Sequence, residues 1–242
     1  MTSYKKILFD LDGTILNMDG KMSNKVEASL KSSKDKISIS FCTGRPLDFT
    51  IALAQQLGIT SNHIVDDGSR VVDYKGKELW SVVFPQKVID YYVDLAKVND
   101  FKITATVNGK NKMKIDKNDS HISRLFPCFL NQRQVDILIK NNFSPNYETK
   151  IVWYDPKYGY NVSITDIKGN KKHGIRFLLN LEDLKKEEVI GVGDGINDLP
   201  LFESVGYQIA MGNASSIIKS QVGLVAPSIN EDGVAWILNK LS

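Results

Sequence analysis

The stretch Lys5-Lys6-Ile7-Leu8-Phe9-Asp10-Leu11-Asp12-Gly13-Thr14 joins an apolar run to two carboxylates and a glycine. Ile7-Leu8-Phe9, bounded by Asp and Asp-Gly punctuation, predicts a short strand buried on both faces, as in a parallel sheet. Working outward, residues 22–34 place apolar side chains at Met22, Val26 and Leu30, the stripe of a surface helix. Residues 37–41 predict a second strand. Pro46 opens a helix over 47–57 and Gly58 closes it. A third strand is expected at 63–65, then a hairpin of 70–74 and 78–82 turned at Lys75-Gly76-Lys77. Alternating strands and helices are the rhythm of a parallel sheet covered by helices.

After residue 82 the rhythm changes. A helix is expected at 86–98, then strands at 101–107 and 112–117 around Asn108-Gly109, a hairpin signal. Residues 118–131 read as loop, 132–140 as helix, and 149–154 and 160–165 as strands about the turn Asp155-Pro156-Lys157. Helix-strand-strand twice over describes an α+β module with an antiparallel sheet, and Trp153 and Tyr154 at strand spacing read as its core. From Lys171 the first pattern returns, with helices at 171–180, 197–203, 214–220 and 231–240 and strands at 189–192, 207–211 and 223–225. The expected fold is α/β: a Rossmann-like parallel-sheet core of residues 1–82 plus 163–242, interrupted by an α+β cap at 83–162. The length of 242 residues, between one and two domains' worth, suits that division.

Composition excludes several classes. The charge balance of 31 basic and 28 acidic residues leaves only +3, and just 5 of the basic residues are Arg, so a nucleic-acid partner is not expected. No apolar run approaches the length of a membrane span, and the opening residues do not form a signal peptide. Cys42 and Cys128 have no metal or redox spacing. These features together suggest a soluble, cytoplasmic protein, either monomer or homodimer.

The expected strands end in unusual polar residues: Asp10-Leu11-Asp12-Gly13-Thr14, Cys42-Thr43-Gly44-Arg45, and Gly191-Val192-Gly193-Asp194-Gly195-Ile196-Asn197-Asp198. Ligands of open parallel sheets bind outside the carboxyl ends of the strands, so these segments should converge. Asp10, Asp12, Asp194 and Asp198 would repel one another there without a cation. Oxygen ligands with neither His nor Cys nearby point to Mg2+, which commonly completes its shell with substrate phosphate. The Thr43 hydroxyl and the Gly44 amide would supply phosphate donors. One Lys from the helix at 171 would offset the remaining charge.

These three segments, in this order, resemble the motifs of the haloacid dehalogenase-like phosphohydrolase superfamily. The insertion resembles its type II caps, particularly those of the Cof-like IIB sugar-phosphate phosphatases. The resemblance implies that Asp10 is the nucleophile, forming an aspartyl-phosphate, and that Asp12 is the general acid and base. It implies a phosphoryl group on Thr43 and Gly44, and Mg2+ on Asp10, the Asp12 carbonyl and Asp194, with Asp198 acting mostly through water and Asn197 helping position the site. The substrate would be a small phosphorylated metabolite, most plainly a sugar phosphate. A phosphomutase of the same superfamily and a catalytically idle binding protein are the alternatives.

Two places depart from the pattern. The phosphate-binding lysine falls in Lys171-Lys172-His173-Gly174-Ile175, where Lys171 fits the spacing better and Lys172 stays open. Asp67-Gly68-Ser69 stands where the Cof-like group has Asn-Gly-Ala, and an acid facing the crevice would disfavour anionic groups beyond the phosphate. Arg45 either binds substrate or pairs with a local carboxylate. Asn213, after Gly212, resembles a family turn near the site, though it reads first as structural. Gly191, Gly193 and Gly195 miss the dinucleotide spacing because residue 196 is Ile.

Overall fold

The computed structural model of the protein describes residues 4–116 and 119–241, so Lys117 and Asn118 of the expected strand and loop lie outside it. The chain forms two compact units, one of residues up to Trp80 and from Lys171 onward, the other Ser81–Asn170.

In the first unit, β1 (Lys6–Phe9) is followed by α1 (Asn24–Ser33), β2 (Ser38–Phe41), α2 (Leu47–Leu57), β3 (His63–Val65), β4 (Arg70–Val72) and β5 (Glu78–Ser81). Ile7, Leu8 and Phe9 are fully buried, each contributing about 1.5–3 kcal/mol by leaving water. Ser23 caps α1 by accepting the Val26 N–H at 3.1 Å. Gly58 ends α2 in the left-handed conformation, φ +68°, returning its N–H to the last turn.

The second unit contributes α3 (Gln86–Val98), β6 (Lys102–Val107), β7 (Lys110–Lys112), β8 (Ile122–Cys128), α4 (Gln132–Lys140), β9 (Tyr147–Asp155) and β10 (Gly159–Asp166). The chain then completes the first with α5 (Lys171–Leu181), β11 (Val189–Gly193), α6 (Leu199–Glu203), β12 (Tyr207–Ala210), α7 (Ser216–Lys219), β13 (Leu224–Val225) and α8 (Gly233–Leu241). The large sheet has the order β13-β12-β11-β1-β2 and its pairings are parallel. A separate small sheet has the order β3-β4-β5, with β3 and β4 antiparallel, and a bridge joins Ile64 to Cys42, just after β2. The fold is α/β, with the parallel sheet at its centre.

The second unit is an antiparallel sheet in the order β7-β6-β8-β10-β9, with its own core of Val88, Tyr92, Leu125, Leu138, Val162 and Ile164. Here the expectations need three corrections. Residues 118–131, read as loop, contain β8, the middle strand. Pro127 and Arg124 interrupt its apolar pattern, and a register shift between Thr106 and Val107 of its partner breaks the alternation. The expected boundary after residue 162 falls inside β10, which pairs with β9 from Gly159–Asp155 to Asp166–Tyr147. Dividing the units there would cut one hydrogen-bonded ladder, and the division lies instead between Asn170 and Lys171. Trp153 and Tyr154 are not core residues: both are half exposed, on β9 at the end of the strand order.

Candidate active site

β1 and β11 are neighbours at the point where the strand order reverses: β2 lies beyond β1, and β12 and β13 lie beyond β11. Ligands of open α/β sheets bind outside the strand ends at such a point. Asp10 leaves β1 there, Thr43 and Gly44 follow β2, and Asp194 follows β11.

The Asp10 carboxylate is 3% exposed and accepts a hydrogen bond from Lys171 Nζ at 2.7 Å. The same ammonium donates to Asp198 Oδ1 at 2.6 Å. Lys171 opens α5 and is buried, whereas Lys172 is exposed and pairs with Glu203 at 3.1 Å. Of the two lysines, only Lys171 reaches the carboxylates. Asp198 is fully buried, and its Oδ2 accepts the N–H groups of Asp194 and Gly195, both at 3.0 Å. That carboxylate thus closes the short 3-10 turn over Ile196–Asp198 that leads into α6.

Asp194 is oriented from the opposite direction. Its Oδ2 accepts from Asn213 Nδ2 at 3.1 Å, and its Oδ1 from the Thr14 hydroxyl at 3.4 Å. Asn213 also donates to the Gly13 carbonyl at 2.8 Å and accepts the Ile229 N–H at 3.0 Å, so it ties the first motif to the last. Gly13 has φ +79°, and a β-carbon there would lie 2.2 Å from Asp194 Oδ2. Only glycine fits that position.

Asp10, Asp194 and Asp198 each offer a carboxylate oxygen, and these lie within 4.8 Å of one another. Burial pushes Asp10 up to about 8; Lys171 opposes that shift, while Asp198 and Asp194 add to it. Burial and the Asp198 charge push Asp194 up to about 6. Burial works against the charge of Lys171, but Asp10 and Asp198 outweigh it and hold the ammonium well above its usual value. Two of the three carboxylates, Asp10 and Asp198, therefore share the Lys171 ammonium, with Asp194 beside them. The excess negative charge, borne on hard oxygen donors, is what a divalent cation such as Mg2+ offsets, so these residues fit that metal.

The Asp12 side chain lies outside the acidic group. It is exposed and bound by Arg45, whose Nε donates to its two oxygens at 3.1 and 3.0 Å and whose Nη2 donates at 2.6 Å. The Arg45 guanidinium also stands 4.1 Å from the centre of the Phe49 ring. Arg45 thus forms the local carboxylate pair that was one of its two expected roles. Thr43 is buried, with its hydroxyl accepting the Arg45 N–H at 3.1 Å and its carbonyl accepting the Asp67 N–H at 3.1 Å. Asp67 lies against Gly44, while Asn197 is exposed beside Gly195. Thr14 and Asn213 are contributors that spacing could not assign, since neither belongs to an acidic or phosphate-binding pattern.

The haloacid dehalogenase-like hydrolase family matches residues 7–142 and 111–238 of the chain. The chain belongs to that family. A 5-amino-6-(5-phospho-D-ribitylamino)uracil phosphatase of Bacillus subtilis is 25% identical, over 97% of this chain and 96% of its own. A phosphoglycolate phosphatase of Saccharolobus solfataricus is also 25% identical, over 98% and 95%. Among solved structures, a Thermotoga maritima protein superposes with TM-score 0.84 at 22% identity, covering 99% of this chain and 98% of that one. A subclass IIB sugar phosphatase of the superfamily superposes with TM-score 0.79 at 18% identity, covering 98% of both chains. Those two likenesses are of fold. The expectation of a member of the haloacid dehalogenase-like hydrolase family is borne out.

Proposed function

We propose that this phosphatase hydrolyses a small phosphorylated metabolite, with a sugar phosphate as the best representative, through an aspartyl-phosphate on Asp10. The observation that carries the reading is the buried Lys171 ammonium bridging Asp10 and Asp198 beside Asp194. A buried carboxylate makes a nucleophile when neighbouring cations spread the charge of the arriving phosphoryl group.

In the first half-reaction an Asp10 oxygen bonds to phosphorus, the ester P–O bond breaks, and Asp12 gives its proton to the leaving oxygen. In the second, water attacks the phosphorus of the aspartyl-phosphate, Asp12 takes a proton from that water, and inorganic phosphate leaves with the carboxylate regenerated. Thr43 and the Gly44 amide hold the phosphoryl oxygens, and Asn197 reaches them from the loop after β11. Lys171 orients Asp10 and opposes the upward push of burial on it. Mg2+ would be held by Asp10, the Asp12 carbonyl and Asp194, with Asp198 outside them. It would supply charge stabilisation to the phosphoryl oxygens.

The covalent step is tested by acid-quenching the enzyme during turnover of a radiolabelled phosphomonoester. Label recovered on the peptide containing Asp10 is the expected result. An unlabelled protein at every quench time would contradict a covalent route.

A further inference from the structure

Met211-Gly212-Asn213-Ala214 follows β12, which pairs in parallel with β11 and so brings this turn beside the strand end that carries Asp194. The Met211 N–H donates to the Gly193 carbonyl at 3.0 Å. The turn is also held from its other side. A β-carbon on Gly212 would come within 2.5 Å of the Ser228 nitrogen, and the Gly212 carbonyl accepts Lys219 Nζ at 2.6 Å. The main chain therefore fixes the point from which the residue 213 side chain starts.

That side chain meets a donor and two acceptors at once. Its Oδ1 accepts the Ile229 N–H at 3.0 Å, while Nδ2 donates to the Gly13 carbonyl at 2.8 Å and to Asp194 Oδ2 at 3.1 Å. Only one orientation of the amide satisfies all three partners. An aspartate would keep the Ile229 bond but turn an oxygen toward a carbonyl and a carboxylate. A neutral residue stands in this acid-rich place because it has to donate there.

Two of the groups to which the reading above assigns Mg2+ depend on this amide. The Asp194 carboxylate is bonded to it directly, and the Gly13 carbonyl lies one peptide beyond that of Asp12. Thr14 reaches the other Asp194 oxygen at the longer distance of 3.4 Å, so the amide is the closer of the two side-chain donors that orient this carboxylate. A ligand already held in place gives up less freedom when a cation arrives, and removing the group that holds it commonly weakens metal binding by about 10–100-fold.

We infer that Asn213 is a positioning residue that sets the affinity of the site for Mg2+. It acts through Asp194 and the Asp12-Gly13 main chain, and is no ligand itself, because Nδ2 can only donate and Oδ1 is taken by Ile229. The inference rests on the Mg2+-dependent phosphatase reading and deepens it by naming the residue that tunes the metal.

Mn2+, which shares the preference of Mg2+ for oxygen donors, is the probe. Free Mn2+ is counted by electron paramagnetic resonance in titrations of wild type, Asn213→Ala, Asn213→Ser, Lys219→Ala and Asp194→Asn, all without substrate. Asn213 is exposed, so its truncation removes these bonds and little packing, and urea unfolding of each variant without metal reports any loss of fold separately. Both Asn213 variants are expected to bind Mn2+ at least about tenfold more weakly, and to need as much more Mg2+ for half-maximal turnover of p-nitrophenyl phosphate. Lys219→Ala loosens the same turn but leaves the bonds to Gly13 and Asp194, and should bind Mn2+ within about twofold of wild type. Unchanged Mn2+ affinity in the Asn213 variants, or an equal loss in Lys219→Ala, would overturn the inference. Failure of the underlying reading looks different and removes the inference with it: Asp194→Asn would then match the wild type in Mn2+ binding.

Discussion

Lys171 and Lys172 are adjacent in sequence and opposite in consequence. One ammonium is buried between Asp10 and Asp198, and the other stands in solvent against Glu203. Replacing Lys171 by Ala removes the ammonium that bridges Asp10 and Asp198, and phosphate release should fall by at least about a hundredfold. Lys172→Ala breaks only an exposed pair, of a kind that contributes little, and should stay within about twofold of wild type. Steady-state phosphate release by the two variants separates them; equal losses would mean that the buried bridge has no role in turnover. Part of this site was legible in advance, because Asp10, Thr43 and Asp194 follow strand ends, where an acid or hydroxyl after an apolar run stands out. Asn213 was legible only as a turn near the site. Its part depends on reaching both Gly13 and Asp194, a meeting of distant segments that only the fold creates.

The parallel strands could be read because each is a short apolar run closed by punctuation, and both faces of such strands are buried. β8 escaped that reading. Its residues Ser123, Arg124 and Pro127 are unusual in a strand, yet it stands between β6 and β10 and buries Ile122 and Leu125 completely. A strand in this position is recognised by its partners more than by its own pattern. Leu125→Ala should accordingly cost about 2–5 kcal/mol, the range for emptying a fully buried leucine site. Urea unfolding followed by circular dichroism measures it, and a cost below about 1 kcal/mol would show that β8 is not the packed centre of its sheet.

His63 should contribute to the pH dependence of the protein's stability, opposite in sign to the buried Asp10 and Asp194. Its ring is fully buried, accepts the Phe41 N–H on Nδ1 at 3.1 Å, and has no partner for Nε2 among the described residues. Burial, reinforced by the Lys6 charge, pushes the imidazole down from 6.5 to about 3. Between those values the unfolded chain binds the proton and the folded one does not, so this contribution to stability rises with pH across that window. Relative to neutral pH, His63 should cost about 2 kcal/mol at pH 5. His63→Asn, which keeps an acceptor for Phe41, should raise the urea midpoint at pH 5 relative to that at pH 7, compared with wild type; an identical pH profile in both proteins would exclude His63 as a contributor. The central claim concerns what the assembled strand ends do together. Inorganic phosphate release from p-nitrophenyl phosphate with Mg2+ present, compared between wild type and Asp10→Asn, tests it most directly. The account predicts turnover by the wild type and a loss of at least about a thousandfold in the variant. Equal rates in the two proteins would contradict it.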